Sequence, residues 1–363
     1  MGKRELLLVA LFVVLGTVLY QATAPPAPDG ARGFSLREMF RAARGHMGDH
    51  PASRTVTQTS ELRLPGDSTV LVIDEFRGRV DVQGDDVTAV AATLESTLHG
   101  LDEDDLDRQE SALGLRLEAE GSRATLVLDE AEGAPRADRT LTLHVPRALT
   151  LHLSGRGVAH VRGMAGAQLD DYRGDLTIED VTGPVTGSHA EGRAEFGPGT
   201  AVTLETRRGT LRLVRPASAT LEIEAVDVEV TDAAGPVTID EERSTIEVIG
   251  GAGPIRVTGA GGTIKLRNVQ TPVEIDAERL TVSMAMAQAV TATVQVEGDD
   301  VDVTLPAAGV TLEASVERGE LRAPETFSPT VDGDVRRAAG ALNGGGPTVT
   351  VQVTRGSLTI RTP

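Results

Sequence analysis

A nine-residue strand repeat between Gly235 and Val282 constrains the fold more than any other feature of the chain. Short segments in which two apolar residues flank a polar one return at this spacing: Val237-Thr238-Ile239, Ile246-Glu247-Val248, Ile255-Arg256-Val257, Ile264-Lys265-Leu266 and Val273-Glu274-Ile275. Proline precedes alternate segments, at 236, 254 and 272, so the complete repeat is eighteen residues and holds two unlike strands. Repeats that bury an apolar stripe against the next repeat are typical of a β-solenoid.

The polar residues of this repeat predict how its strands align. In each strand the apolar pair points inward and the residue between points outward. The outward residues form two series, one on each face: Thr238, Arg256 and Glu274, and Glu247, Lys265 and Thr281. We therefore predict that Arg256 lies beside Glu274 and that Glu247 lies beside Lys265. A slip of one residue would bury these charges.

Composition agrees with a repetitive β-structure and excludes several functions. Hydrophobic residues make up 40% of the 363 residues but aromatic residues only 2%, so the core must consist of Val, Ile, Leu and Ala. The net charge of −19 argues against nucleic acid as a partner and against electrostatic docking on anionic lipid. The chain has no cysteine, which excludes disulfides, thiolate catalysis and lipidation on cysteine.

The amino terminus has the form of an export signal. Lys3 and Arg4 precede an apolar run over residues 6–20, which ends near Ala22-Thr23-Ala24. We predict that residues 1–24 are a signal anchor or a cleaved signal peptide. Pro25 would hinder cleavage, so we favour a retained membrane helix that leaves the body of the protein outside the cytoplasm. Residues 25–53 are predicted to be a linker with a short amphipathic helix.

The remaining chain, residues 54–363, is predicted to be one all-β unit of about eighteen-residue coils. Residues 54–147 form its irregular first part, with a short helix or loop over the acidic stretch from 101 to 114. Residues 148–321 form the regular coils, in which glycine supplies backbone freedom at the corners. Residues 322–363 hold an irregular loop to 347, and then two strands that we predict to close the end of the stack.

Three further segments connect the chain with a known family: Gly78-Arg79-Val80-Asp81-Val82, Val145-Pro146-Arg147 and Gly356-Ser357-Leu358-Thr359-Ile360. With the repeated Gly-x-Val-x-Val steps, they resemble the bacterial "putative adhesin" family, which is described as toast-rack-like and has no known function. The resemblance covers roughly residues 55–363. It implies a β-solenoid of the cell envelope, and it supplies no catalytic position to carry over.

Three histidines are candidates for a metal site. His144, His152 and His160 are spaced by eight residues, and on successive strands they could approach one another and bind zinc. Zinc needs converging ligands, and spacing alone does not provide them. We favour the interpretation that the histidines are solvated and lie on different faces, and we assign no metal-binding residue.

Acidic clusters are candidates for calcium binding, which requires several oxygen ligands in one loop. They occur at Asp102 to Asp105, at Asp170-Asp171 and at Asp299, Asp300 and Asp302. The segment from Gly250 to Gly253 begins like a calcium-binding nonapeptide, but Ile255 stands where aspartate is required. We therefore interpret the clusters as charge that keeps the protein in solution.

Together these features predict a non-enzymatic, adhesin-like structural or interaction module of the bacterial envelope. Its predicted partners are the membrane, through the amino-terminal helix, and an envelope protein or surface polymer. Two alternatives are a sensory or regulatory extracytoplasmic domain of an envelope-stress system, and a polysaccharide-active enzyme, which would need paired carboxylates. No catalytic residue, cofactor or cofactor-binding residue is assigned. A binding site is expected in the irregular parts, at residues 95–115 or 322–347.

Overall fold

A computed structural model of the protein describes a nearly all-β chain with one α-helix, over residues 52–65, 68–100, 102–129 and 137–363. One compact unit runs from Ser53 to Pro363. Within the described ranges no helix is long and apolar enough to span a bilayer. The signal segment predicted over residues 1–24 and the amphipathic helix predicted after it lie outside these ranges.

Strands account for most of the described chain. The amino-terminal elements are β1 (Ala52–Arg63), β2 (Val70–Asp85), β3 (Ala89–Gly100), α1 (Glu103–Ala112), β4 (Gly114–Glu120), β5 (Arg123–Asp129), β6 (Asp138–Pro146), β7 (Thr150–Arg162) and β8 (Gly166–Glu179). The middle elements are β9 (Pro184–Ala190), β10 (Arg193–Phe196), β11 (Ala201–Val214), β12 (Ser218–Thr231), β13 (Val237–Glu242), β14 (Thr245–Ile249), β15 (Ile255–Val269) and β16 (Val273–Met286). The carboxyl-terminal elements are β17 (Ala292–Glu297), β18 (Val301–Thr304), β19 (Val310–Glu317), β20 (Glu320–Arg322), a 3-10 turn (Glu325–Phe327), β21 (Thr330–Asp332), β22 (Val335–Leu342), β23 (Thr348–Thr354) and β24 (Ser357–Arg361).

Most of these strands stack in parallel, and each level of the stack, called a layer, has two strand halves separated by a bend. A layer is either one long bent strand, such as β11 or β12, or two short strands, such as β13 and β14. Ala219 of β12 lies opposite Val237 of β13, eighteen residues later. The predicted repeat length is therefore confirmed in this part of the chain.

The predicted alignment is confirmed at both charge pairs. Arg256 lies opposite Glu274, and their side chains form an ion pair with an Nη1–Oε2 distance of 3.0 Å. Glu247 lies opposite Lys265, although its carboxylate pairs with Arg267 at 3.0 Å. This Arg267 contact is a diagonal one, within reach of a long side chain across neighbouring strands.

The prediction for Thr281 was wrong. Lys265 lies opposite Ser283, while Thr281 lies opposite Thr263. The offset between β15 and β16 stays at eighteen residues through this segment, so the partner of residue 265 must be residue 283. Thr281 stands two residues earlier on the same face of its strand.

The core lies between the two halves of each layer and follows the strand alternation. In β12, Ala219, Leu221 and Ile223 are buried before the bend, and Val228 and Val230 after it. Neighbouring layers repeat this pattern with Val, Ile, Leu and Ala. Large aromatic side chains are buried mainly toward the ends of the stack, as at Phe76, Tyr172 and Phe327. The few aromatics of the sequence are thus explained by a narrow, repeated interior.

Glycine serves a different purpose at the strand entries than the sequence predicted. Gly235 and Gly253 do not have positive φ; instead, a Cβ on Gly253 would lie 2.1 Å from the carbonyl carbon of Gly235. Glycine is needed there because successive layers approach closely. The left-handed backbone is adopted at the bends by other residues, such as Arg208, Ala225 and Arg243, with φ of 54, 55 and 56°.

At the amino-terminal end the layers do not follow chain order. β2 lies between β7 and the layer made of β5 and β6, so that Leu71 faces Leu151 on one side and Ala124 on the other. Antiparallel strands cover this outer layer, with β4 on β5 and β3 on β6. β1 then pairs with β3, and α1 packs beside them with Leu106 fully buried. The acidic stretch predicted as a helix or a loop is this helix.

The carboxyl-terminal end uses the same arrangement in reverse. β23 and β24 lie between the β17–β18 layer and the β19–β20 layer, so that Val351 faces both Val294 and Ala314. β22 pairs with β19 in antiparallel orientation and covers the end. The prediction that the last two strands close the stack was wrong. Because β23 buries three valines and β22 buries only Ala338, β23 suits an interior layer and β22 an end.

Candidate functional site

A charged groove of about 1150 Å³ lies at the bend of the first layers. β2, β7 and β8 form most of it, and β1, β3 and β6 contribute at one side. Its charged residues are Asp74, Glu75, Arg77, Arg79, Glu95, Asp138, Arg139, Arg156, Asp170, Asp171 and Arg173. Such a density of both signs in one depression distinguishes it from the flat strand faces elsewhere.

Three arginines of the groove stand on successive layers. Arg77 of β2 lies opposite Arg156 of β7, which lies opposite Arg173 of β8. We call these three residues the arginine column. Neighbouring strands are about 4.8 Å apart, and like charges placed directly opposite each other destabilise a sheet. The arginine column therefore costs free energy unless its charges are compensated.

Among the described residues, a carboxylate compensates only one member of the arginine column. Arg173 pairs with Asp171, with an Nη2–Oδ2 distance of 2.6 Å. Arg77 and Arg156 are exposed, and neither forms an ion pair or side-chain hydrogen bond with the described part of the chain. The nearby Arg79 is engaged with Asp81 at 2.9 Å. Arg77 and Arg156 are therefore two adjacent cations that are open to solvent.

A glycine follows each arginine of the column, and these glycines line the bend with main chain alone. Gly78, Gly157 and Gly174 have φ of 143, 139 and 113°, a region that strongly favours glycine. A Cβ on Gly157 would lie 1.9 Å from the carbonyl oxygen of Gly78, and one on Gly174 would lie 2.2 Å from that of Gly157. The layers thus stack in close contact there, and only glycine fits between them.

Four of the six carboxylates of the groove precede the bend, and hydrogen bonds hold the backbone there. The Ser154 hydroxyl donates to Asp74 Oδ1 at 2.5 Å and accepts from the Glu75 N–H at 2.7 Å. Glu75 and Asp171 have left-handed φ of 49 and 45°, and the Asp171 N–H donates to a serine hydroxyl at 2.9 Å, so these contacts stabilise an unusual backbone. The side before the bend is therefore acidic, whereas the side after it is mixed, because Glu95 and Asp138 lie level with the arginines of β2.

The three candidate histidines do not converge. His144 and His160 line a second pocket, of about 480 Å³, but β2 lies between their strands. His144 Nδ1 lies 2.8 Å from Asp85 Oδ2, and this hydrogen bond is the main cause of a lowered pKa of Asp85. His160 Nδ1 lies 3.2 Å from Asp81 Oδ1. Each of these two histidines thus faces its own carboxylate.

His152 lies on the other half of its layer, opposite Val72 and Gln168. Burial, and secondarily the charge of Arg123, lowers the pKa of His152. Over residues 52–65, 68–100, 102–129 and 137–363, no group of three or more His, Asp or Glu side chains is placed to hold a metal ion. The spacing of eight therefore brings two of the three histidines to one pocket but forms no ligand set.

The acidic clusters considered for calcium are occupied with protein contacts. Asp102 caps α1 by accepting the Asp105 N–H at 2.9 Å, and Asp302 pairs with Arg361 at 3.1 Å. Asp300 accepts both the N–H and the hydroxyl of Ser357, at 2.9 and 2.6 Å, which lowers the pKa of Asp300. The first contact caps α1, and the others join the inserted β24 to the β18 segment.

Two buried titratable residues, His189 and Glu241, were not singled out from the sequence. His189 Nε2 lies 2.8 Å from the Gly174 carbonyl oxygen, and burial lowers the pKa of His189, so the neutral ring donates this bond. Burial raises the pKa of Glu241, whose Oε2 accepts the Ser244 N–H at 2.9 Å. Neither residue lines either depression, so both act within the scaffold.

Sequence reasoning did not find the arginine column, and the layer order explains why. Arg156 and Arg173 are one repeat apart, but Arg77 and Arg156 are 79 residues apart because β2 is stacked out of chain order. Of the ranges expected to bind, residues 95–115 contribute only Glu95 and Thr97 to the groove, and residues 322–347 contribute nothing. The Arg-Gly pairs at 77, 156 and 173 were the available signal.

No family model and no curated protein matches the chain. Among solved structures, one described as a "putative cell adhesion protein" from Clostridium sporogenes is 10% identical, with 86% of this chain and all of that chain covered and a TM-score of 0.19. A "putative adhesin" from Bacteroides fragilis is 9% identical, with 87% and 100% covered and a TM-score of 0.23. A "putative lipid binding protein" from Parabacteroides distasonis is 12% identical, with 85% and 96% covered and a TM-score of 0.26.

The names of these structures agree with the family resemblance found in the sequence. Identities of 9 to 12% and TM-scores well below 0.5 carry no argument about activity or ligands. The function of this chain must therefore be argued from its own residues.

Proposed function

We propose that this protein is a non-enzymatic binding module of the bacterial cell envelope, built as a β-solenoid and adhesin-like in its role. The observation that carries the proposal is the groove in which Arg77 and Arg156 stand adjacent and uncompensated on stacked parallel layers. Parallel layers that repeat at about eighteen residues support the solenoid.

A binding role fits the chemistry of this groove. Arginine stays protonated at all physiological pH values, so it recognises anionic groups but does not exchange protons with a substrate. Asp74 and Asp171 are held in hydrogen bonds or ion pairs that shape the bend. These residue types hold a ligand in a fixed place, which is the task of an adhesin or a structural module.

The same proposal places the module outside the cytoplasm. Residues 1–24 would anchor it to the inner membrane or direct its secretion, residues 25–53 would act as a spacer, and residues 54–363 would face the periplasm or the exterior. The apolar run after Lys3 and Arg4 supports this arrangement. The partner would then be a surface polymer or another envelope component within reach of the tether.

The test measures binding and catalysis in the same sample. Full-length protein is incubated with isolated bacterial envelopes, and both the bound fraction and the release of reducing sugar ends are followed over time. We expect saturable binding without new reducing ends, and much less binding of an unrelated protein of similar net charge. Binding no stronger than that of the unrelated protein would contradict a binding role, and steady release of reducing ends would identify an enzyme instead.

A further inference from the structure

We infer that Arg77 and Arg156 form an oxyanion site that binds a phosphate or sulfate group carried by an envelope molecule. The inference rests on the proposed binding function and names the ligand chemistry. Guanidinium groups present N–H donors in a planar fork that matches the oxygens of tetrahedral anions. Two such groups on neighbouring strands can contact the same oxyanion, because the strands are about 4.8 Å apart.

Arg77 and Arg156 have no ion-pair partner among the described residues, although the chain is rich in acids. The protein has 54 Asp and Glu against 35 Lys and Arg, so a carboxylate could have been placed near every arginine. Arg243 shows the usual outcome, because its Nη2 lies 2.6 Å from Glu224 and 3.1 Å from Glu242. Two opposed arginines that form no ion pair with the described residues would be stabilised by an anion bound between them.

The two arginines are also accessible. Gly78 and Gly157 follow the two arginines, and both line the groove. The missing Cβ atoms would point into the neighbouring layer, so glycine serves the stacking at these positions. Arg77 and Arg156 are themselves exposed, so a tetrahedral anion can reach their guanidinium groups from solvent.

The acidic side of the groove determines how the site must bind. Glu75 precedes Arg77 by two residues, and Asp170 lies on the layer after Arg156, so the surrounding charge does not attract anions over long range. Affinity must come from direct contact with the two guanidinium groups. We therefore expect binding to depend on these two side chains and not on the net charge of the protein.

The experiment compares two double variants of the full-length protein with equal net charge. Arg77→Gln with Arg156→Gln removes the site. Arg215→Gln with Arg279→Gln is the control, because these arginines are also exposed and form no ion pair with the described residues. Pyrophosphate binding is measured by titration calorimetry at low ionic strength. We expect at least about tenfold weaker binding for the site variant and less than about twofold for the control.

Three probes distinguish the sources of the oxyanion: free pyrophosphate, dextran sulfate, and vesicles that contain phosphatidylglycerol. Each is titrated against the wild type and both double variants. Selective loss of binding in the site variant with any probe supports the inference and identifies the carrier. Equal losses in both variants would show that only net charge matters, and no loss in the site variant would exclude the arginines; either result overturns the inference.

Thermal unfolding provides a readout that does not depend on the ligand being the natural one. Without ligand, the site variant should unfold at the same temperature as the wild type or higher, because the repulsion between Arg77 and Arg156 is gone. Saturating pyrophosphate should raise the unfolding temperature of the wild type and of the control more than that of the site variant. Equal shifts in all three proteins would contradict the site.

Failure of this inference is distinguishable from failure of the proposed function. If the wild type binds isolated envelopes but the site variant shows no selective loss of pyrophosphate, dextran sulfate or vesicle binding, the oxyanion site is wrong and the binding function stands. If the wild type itself does not bind envelopes, the proposed function falls, whatever the pyrophosphate result.

Discussion

One column of residues beside the bend carries opposite charges at the two ends of the stack. At the amino-terminal end it is the arginine column. Ala190 lies opposite Arg173 on the next layer, and Arg207 lies opposite Ala190 on the layer after that. The residues that follow in the same position on successive layers are Glu224, Glu242, Ala260, Glu278, Glu297, Thr354 and Glu317. We call the five glutamates of this series the glutamate column. The two columns occupy equivalent positions of the backbone and differ in how their charge is compensated.

The residue at the bend explains the difference. Arginine follows three members of the glutamate column, as in Glu242-Arg243 and Glu317-Arg318, and the latter pair has an Nη2–Oε1 distance of 3.1 Å. Arg355, at the bend of an inserted layer, pairs with Glu297. In the arginine column each arginine is followed by glycine, which offers no charge, and only Arg173 has a carboxylate partner, Asp171. The fold therefore neutralises this position locally at most members of the glutamate column, whereas two of the three members of the arginine column have no ion-pair partner among the described residues.

Removing the layer that is inserted near the carboxyl-terminal end of the stack would have the largest effect on this comparison. Deletion of residues 348–363 removes β23 and β24, which leaves β17 and β19 without their shared partner. We expect amide hydrogen exchange protection to be lost from β17 to β22, while β7 to β12 keep theirs, because stacked repeats depend mainly on their neighbours. Full protection of β17 in the truncated protein would contradict the layer order.

Two glycine substitutions distinguish a position where neighbouring layers touch from one where they do not. A Cβ at residue 157 would clash with the Gly78 carbonyl oxygen, whereas a Cβ on Gly261 would have its nearest contact at 3.6 Å, with Arg243 Cγ. We expect Gly157→Ala to lower the free energy of unfolding by about 3 kcal/mol or more, and Gly261→Ala, which has only its left-handed backbone to oppose it, by about 1 kcal/mol. Urea unfolding measures both. Similar losses would mean that the layers do not touch at residue 157.

The glutamate half also contains the buried Glu241, whose stability contribution should depend on pH. Because the pKa of Glu241 is raised in the folded state, its protonated carboxyl favours the folded state over the unfolded one. This contribution to stability is lost as the pH rises through the folded-state pKa. Glu241→Gln keeps an acceptor for the Ser244 N–H and cannot ionise. We expect it to stabilise the protein by about 1 kcal/mol at neutral pH and by less toward acid pH.

Unfolding by urea at several pH values tests this expectation. The control is Glu242→Gln at the next residue, which is exposed and loses its contact with Arg243, and it should not stabilise the protein. A benefit of Glu241→Gln that grows toward acid pH would contradict the assigned direction of the pKa shift.

The smallest expected effect comes from giving the arginine column the opposite charge at its centre. Arg156→Glu would place a carboxylate between Arg77 and Arg173. Since opposite charges on neighbouring strands attract, we expect the free energy of unfolding to rise by about 0.5 kcal/mol and the rise to decrease with added salt. Arg215→Glu makes the same charge change outside the column and serves as the control. An equal rise in the control would mean that the column has no special repulsion.

The regular layers could be predicted from the sequence because their pairing partners recur at one short spacing. Arg256 and Glu274 are one repeat apart, so strand alternation and charge matching fix their alignment without any knowledge of the rest of the chain. The core composition followed for the same reason. For Lys265 the predicted neighbour Thr281 was wrong by two residues, because Ser283 lies opposite Lys265.

The ends could not be predicted because their pairing crosses long and irregular intervals. Nothing local indicates that Val80 pairs with both Leu141 and Ala159, or that Val351 inserts before Ala314. The arginine column depends on this layer order, so the sequence could not predict it either. The strict alternation of three valines in β23, which β22 lacks, was visible, and it could have indicated which strand is interior.

The inserted layer at the carboxyl-terminal end creates a kinetic competition during folding. As a chain is synthesised, β19 to β22 are complete before β23 and β24 exist. β17 and β19 both alternate buried and exposed residues in the same phase, so β19 can contact β17 transiently and delay the entry of β23. The native stack then forms only if β19 is released or has stayed apart. We therefore expect the late strands, not the regular repeat, to limit the rate at which this protein reaches its final form.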